Sequence, residues 1–185
     1  MDVAVYSGSF NPLHIGHLAI IKYMIEVAGF DMVYLIVSPK NPLKDSISSD
    51  SGIARFNAAI EAVKRYFDSC VRVDDIELNM PEPHYSISTL DALRSRESGN
   101  SFTFVMGADN LADIRRWKDY TRILTEFGVA VYPRTGFDLE KTRQDLLNEN
   151  PAYKIDIINA PMVDISSTQI REAASRGEDI SHLLM

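Results

Sequence analysis

The stretch Tyr6-Ser7-Gly8-Ser9-Phe10-Asn11-Pro12-Leu13-His14-Ile15-Gly16-His17-Leu18 decides how the rest of the chain is read. It follows a short apolar run, Val3 to Tyr6, with the character of a buried strand. It precedes Leu18, Ile21, Ile25 and Ala28, apolar residues at helical spacing. A strand, a tight turn of small residues and a helix start make a phosphate site in α/β proteins. The free N–H groups of the first helical turn point at the ligand, and the helix dipole favours negative charge. Gly8 and Gly16 let the backbone come close, and Pro12 stiffens the loop. His14 and His17 are three apart, so on a helical turn they share a face. Two imidazoles at that place suit a polyphosphate better than a lone carboxylate.

Two other readings compete. One is an ordinary strand–helix connection whose histidines are simply polar. The other is a His-x-x-His metal pair, but zinc needs a third and usually a fourth ligand. Cys70, His84 and His182 are scattered and offer no paired spacing. Neither G-x-G-x-x-G nor G-x-x-x-x-G-K-[ST] can be written from the glycines.

Outward from this stretch, strands and helices alternate. Met32 to Val37 is a continuous apolar run, expected as a second buried parallel strand. The loop 38–51 is polar. A helix is expected over 53–67 with Phe56, Ala59, Ile60 and Val63 on its inner face, then a short strand over 71–73 extending toward Ile76. After the loop 79–84, Ser86 or Ser88 is expected to cap a helix carrying Leu90 and Leu93. Phe102 to Met106 reads as a buried strand ending in the turn 107–110. Short helices interrupted around Trp117 fill 111–124. Val129 to Tyr132 is a strand stopped by Pro133, 139–147 a helix, and 155–158 the last strand. Residues 165–168 lead into a helix with Ile170, Ala173 and Ala174 inward and Gly177 at its end. The pattern predicts an α/β fold with a doubly wound parallel sheet, as one domain over 1–185. Such sheets bind ligands at the carboxyl ends of their strands, where the turns 7–10, 38–44 and 107–110 fall.

The chain has 185 residues and a formal net charge of −7, with 45% hydrophobic residues. That balance argues against nucleic acid or an anionic membrane as the main partner. An acidic protein that holds a polyphosphate must gather cations locally, and the histidines, Lys44, Arg134 and Arg171 are the candidates. The single cysteine excludes an internal disulfide and suits a reducing cytoplasm. No apolar run approaches the roughly 18 residues of a membrane span, and the N-terminus lacks a basic signal-peptide region.

Gly8-Ser9-Phe10-Asn11-Pro12-Leu13-His14-Ile15-Gly16-His17 resembles the G-x-[FW]-[DN]-P-x-H-x-G-H signature of the nucleotidyltransferase superfamily. Ile165-Ser166-Ser167-Thr168-Gln169-Ile170-Arg171 resembles its second signature, I-S-[ST]-T-x-[IL]-R. The resemblance implies a Rossmann-like nucleotidyltransferase fold and adenylyl transfer from ATP, with release of pyrophosphate. It implies that Gly8, Ser9, Phe10, His14 and His17 meet ATP, and that His17 stabilises charge developing at the α-phosphate. It also implies that Ile165, Ser166, Ser167, Thr168 and Arg171 form a second phosphate cradle. Read without the resemblance, that second segment is a helix cap followed by a surface arginine.

The resemblance extends to nicotinate mononucleotide adenylyltransferases. Gly107-Ala108-Asp109-Asn110-Leu111 resembles the family turn whose acid contacts the adenosine ribose, which implies Gly107 and Asp109. Trp117 stands where that family stacks a tryptophan on the pyridine ring; by general tendency alone a tryptophan is more often core. Asn41-Pro42-Leu43-Lys44, Tyr85-Ser86-Ile87-Ser88-Thr89-Leu90 and Tyr132-Pro133-Arg134-Thr135-Gly136 resemble its loops near the mononucleotide. They imply Ser9, Lys44, Tyr85, Ser86, Asp109, Trp117 and Arg134 for that substrate, and Arg55 falls where the family has an arginine opening a helix. Ser86 departs from the usual threonine and Leu43 from the usual histidine.

The expected partners are ATP and nicotinate mononucleotide, a homo-oligomer being compatible, with no protein metal site and Mg2+ brought by the ATP phosphates. The same two signatures occur in pantetheine-phosphate adenylyltransferases, which lack the Tyr85 and Trp117 segments. A nucleotide-binding module without turnover is the reading from another class.

Overall fold

The computed structural model describes residues 1–39, 52–163 and 165–185. The expected contacts of Lys44 and its loop lie outside them. Six parallel strands form one sheet: β1 (Asp2–Gly8), β2 (Met32–Val37), β3 (Val71–Asp74), β4 (Ser101–Gly107), β5 (Val129–Tyr132) and β6 (Ile155–Ile157). Their order is β3-β2-β1-β4-β5-β6. β1 is central, with Val5 opposite Tyr34 of β2 on one side and Phe104 of β4 on the other. Because it is paired on both edges and covered on both faces, its middle must be apolar, and Val3, Ala4 and Val5 are fully buried.

The helices divide between the faces. α1 (Ile15–Glu26) and α2 (Gly52–Tyr66) cover one, where Ile20, Ile21, Met24, Ala59 and Val63 pack on Ala4, Leu35 and Val105. The other face carries α3 (Ser86–Arg96), α4 (Ala108–Ala112), a wide turn at Ile123–Phe127 that extends the short α5 (Tyr120–Arg122), and α6 (Leu139–Glu149). There Leu90, Leu93, Leu111, Leu124 and Leu146 pack on Val5, Ile36 and Phe104. α7 (Ser167–Ser175) follows β6. The crossovers leave β1 and β4 toward opposite faces, so a crevice opens between their carboxyl ends, the place where such sheets bind ligands. The doubly wound parallel sheet expected from the sequence is therefore present.

Several local expectations are corrected. β3 stops at Asp74 and does not reach Ile76, because the Asp74 carboxylate accepts the Ile76 N–H at 3.0 Å and turns the chain into a short 3-10 turn, Ile76–Asn79. Neither Ser86 nor Ser88 caps α3; Tyr85 holds the cap position and Ser86 is already helical. Residues 107–110 are no free turn, since Gly107 is the cap of α4. On α2, Phe56 and Ile60 are half-buried, whereas Arg55 and Ala62 point inward. Ala174 is exposed, and the buried residues of α7 are Ile170 and Ala173. Among the described residues, no helix is long and apolar enough to cross a membrane.

Candidate active site

The loop after β1 places two imidazoles at the start of α1. His14 is the cap residue, in extended backbone conformation, and His17 is three residues into the helix. The Gly16 N–H donates to His14 Nδ1 at 3.2 Å, and the His14 N–H donates to His17 Nδ1, also at 3.2 Å. Both Nδ1 atoms are therefore acceptors. A neutral imidazole has one donor and one acceptor, so both rings carry their proton on Nε2. Burial pulls His14 down from 6.5 to about 4, and the Arg134 charge adds to this. Burial also sets His17 well below 6.5, with His14 and Arg134 contributing. The two histidines are thus N–H donors and not the standing cations expected from sequence. A polyphosphate would reverse the shift by favouring the charged form.

Gly16 gives the ring its room: a Cβ there would lie 3.0 Å from the His14 ring, which would have to shift by a few tenths of an ångström. Phe10, expected at ATP, lies instead beneath the histidines, 4% exposed, edge-on to His17 at 5.2 Å and to Tyr6 at 5.5 Å. It takes a left-handed backbone, φ 43°. Arg55 secures the loop from below. Its buried guanidinium donates to the carbonyls of Ser9, Ser38 and Pro39, joining the ends of β1 and β2.

Two cavities meet at the crevice. The first, about 580 Å³, is lined by His14, Gly16, His17, Asp109, Arg134 and Ile165, among others. Arg134 was expected at the mononucleotide, yet it faces this histidine cavity, with Nε 3.7 Å from Asp109 Oδ1 and Nη2 donating to the Tyr132 hydroxyl at 3.3 Å. Gly107 makes room for that pair, since a Cβ would come within 2.3 Å of Asp109 Oδ1. The second cavity, about 220 Å³, is lined by Ser9, Glu77, His84, Tyr85, Ser86 and Trp117, with Gly8 also on its wall. Tyr6 and Tyr132 border both cavities, and their rings stand edge to face at 6.2 Å. Burial and the neighbouring Tyr132 raise the Tyr6 hydroxyl well above its ordinary value.

Trp117 is both core and wall. Its ring meets Phe104 edge-on at 5.8 Å, while its Nε1, buried, has no hydrogen-bond partner. The Lys118 ammonium sits 4.7 Å from the centre of the Tyr85 ring.

Of the second signature, Ile165 reaches the first cavity. Ser166 caps α7, its Oγ accepting from the Gln169 N–H. Ser167 Oγ donates to the Pro12 carbonyl at 3.1 Å, and Arg171 donates to the Asn11 carbonyl at 2.7 Å and to Thr168 Oγ1 at 3.2 Å. Leu184 forms an antiparallel bridge with His14, and the buried Met185 donates its N–H to the Leu13 carbonyl. The expected phosphate cradle therefore adjoins the first signature, but its serine and arginine are engaged in a helix cap and in bracing the histidine loop. Sequence reasoning missed Tyr6, Tyr132, Glu77 and His84; each is an isolated polar residue in an apolar strand or a loop, with no spacing to mark it.

The family model described as cytidylyltransferase-like matches residues 5–173. The chain belongs to that family. A Flavobacterium johnsoniae protein named "Probable nicotinate-nucleotide adenylyltransferase" is 35% identical over 100% of this chain and 92% of its own length. A Bacteroides fragilis protein of the same name is 37% identical over 97% of this chain and 85% of its own. The fold is also that of a Plasmodium falciparum nicotinic acid mononucleotide adenylyltransferase complexed with NaAD. The two share 20% identity and a TM-score of 0.78, over 97% of this chain and 86% of the other. The nucleotidyltransferase expected from the two signatures is thereby met.

Proposed function

We propose that this protein transfers the adenylyl group of ATP to nicotinate mononucleotide, giving deamido-NAD and pyrophosphate. The observation that carries this reading is the pair of cavities sharing the Tyr6–Tyr132 wall. One offers imidazole N–H donors and Arg134, and the other offers the face of Trp117. Joining two nucleotides needs two such sites meeting at one phosphorus. That relatives of this chain are named nicotinate-nucleotide adenylyltransferases supports nicotinate mononucleotide as the second substrate.

In this reading ATP lies along the histidine cavity. His14 and His17 donate Nε2–H to phosphate oxygens, and Asp109 accepts from ribose hydroxyls. The mononucleotide places its ring against Trp117, near Ser9, Tyr85 and Ser86, with its phosphate toward the shared wall. A phosphate oxygen of the mononucleotide attacks the α-phosphorus. The bond to the β-phosphate oxygen breaks, and pyrophosphate leaves. The attacking group is the substrate's own oxygen, so the protein needs no nucleophile. It contributes positioning and donors that strengthen as charge builds on the α-phosphate. Arg171, through the Asn11 carbonyl, holds the loop that aims the histidines.

Among the described residues, no three His, Cys, Asp or Glu side chains group as metal ligands. Mg2+ in this reading arrives on the ATP phosphates, keeping several waters, and neutralises phosphate charge when bound.

Pyrophosphate release tests the proposal, with ATP and, in separate reactions, nicotinate mononucleotide, nicotinamide mononucleotide and phosphopantetheine. Turnover with the first, exceeding that with the second, is expected. Turnover with phosphopantetheine alone would move the protein to the other branch, and none at all would leave a binding module.

A further inference from the structure

The mechanism above gives no role to Glu77. This residue lies in the turn Ile76–Asn79, is 4% exposed, and is the one acid on the wall of the Trp117 cavity among the described residues. Its Oε1 accepts from Thr89 Oγ1 of α3 at 2.8 Å and from Ser7 Oγ of β1 at 3.3 Å. Its Oε2 takes no hydrogen bond from the described residues, and no Arg, Lys or His among them pairs with it. A tether between β1 and α3 needs only an acceptor at Oε1, which an amide oxygen would provide. Burying a full charge for that purpose is unfavourable, because an unpaired ion gives up hydration without recompense. Glu77 stands instead on the wall of a cavity that a charged ligand can enter.

This inference rests on the reading that a pyridine mononucleotide occupies the cavity. A pyridine ribosylated at nitrogen carries a permanent positive charge on its ring. We propose that Glu77 is the countercharge to that ring, and that it selects mononucleotides with a cationic ring over those with a neutral one. The rest of the wall is arranged to match. The Trp117 face attracts cations. Of the basic side chains on the same wall, Arg116 and Lys118 are exposed and His84 is buried. A wall with one buried acid and two exposed basic residues fits a ring that is itself cationic and carries a carboxylate.

Nicotinate mononucleotide and its dihydro form differ in ring charge while keeping ribose, phosphate and carboxylate, so the pair isolates the effect. Binding is measured by calorimetry and turnover by pyrophosphate release, on the full chain. The parent should prefer the cationic ring by about tenfold or more, the scale of one charge pair in a partly screened cavity. Glu77→Gln keeps the Oε1 acceptor and should erase that preference while leaving the KM for ATP unchanged. Thr89→Val keeps the charge but cuts the tether; it should lower Tm and retain the preference. Equal losses for both rings in Glu77→Gln would overturn the proposal, as would loss of the preference in Thr89→Val. If Glu77→Gln fails to fold, a parent that binds both rings equally overturns it just as well. A parent that binds neither mononucleotide refutes the functional reading and this inference with it, whereas turnover without ring preference refutes this inference alone.

Discussion

The rings of His14 and His17 lie 3.7 Å apart, and each turns its Nδ1 toward a backbone N–H of its own loop. The backbone thereby fixes both tautomers before any substrate arrives. Both Nε2–H groups are left to donate, without the cost of orienting them during reaction.

His17→Ala should lower kcat by about a hundredfold or more, the loss of roughly 3 kcal/mol for one donor to developing charge. It also removes the acceptor for the His14 N–H, so stability should fall by about 1 kcal/mol. Steady-state kinetics beside thermal melting checks both. Parent-like kcat would show that His17 only caps the helix.

Acid should destabilise the free protein through His14. Below the ordinary value of 6.5 the unfolded chain takes up a proton that folded His14 refuses until about pH 4. The unfolded state then binds more protons, so stability rises with pH across that interval and is fully present above it. A shift of this size is worth about 3 kcal/mol. His14→Asn, which can still cap the helix, should flatten the melting temperature between pH 6.5 and 4 relative to the parent. An unchanged slope would mean that the imidazole is not held neutral.

Trp117→Ala should raise the KM for the mononucleotide by about fivefold to a hundredfold, the scale of ring stacking on an aromatic side chain. ATP binding should change little. Because the ring is only half-buried, its stability cost should stay below the roughly 3–5 kcal/mol of a fully buried aromatic. Substrate-resolved kinetics and melting separate the two roles, and a large drop in Tm with equal effects on both substrates would leave Trp117 as core alone.

Gly107→Ala puts a methyl where Asp109 Oδ1 now sits. The nearest obstacle is the end of a half-exposed side chain, which can swing aside, but Arg134 Nε at 3.1 Å and the buried Tyr132 ring at 3.2 Å must also give, so stability should fall by about 1–2 kcal/mol. The Asp109–Arg134 pair should be lost. The KM for ATP should rise about tenfold, as expected when a charged hydrogen bond to substrate is removed. If ATP binding were untouched, Asp109 would have no part in it.

The sheet was legible because its central strands are buried on both faces, so β1, β2 and β5 contain unbroken apolar runs and only Thr103 interrupts that of β4. Helix ends were less so. Nothing in the order of residues says that Asp74 will bend its own backbone, or that Tyr85 will displace two serines from a cap. At the site, paired spacing announced His14 and His17. Tyr6 and Tyr132 passed as apolar strand residues, since a phenol in a continuous run looks like any other bulky side chain. Arg134 could be placed near phosphate chemistry, but which side of the Tyr6–Tyr132 wall it faces depends on the packing of β5 beside β4. Glu77 and His84 lie one on each side of a loop with no period, and only the fold brings them to one cavity.

Leu184 bridges to His14, Arg171 holds the Asn11 carbonyl, and Ser167 holds that of Pro12. The histidine loop thus leaves a ribosome well before the segments that secure it. A nascent chain can form β1 and α1 early, yet its imidazoles lack their braces until Ser167, Arg171 and Leu184 have been added. Truncated translation products should therefore sequester little ATP, however well their first strands have folded.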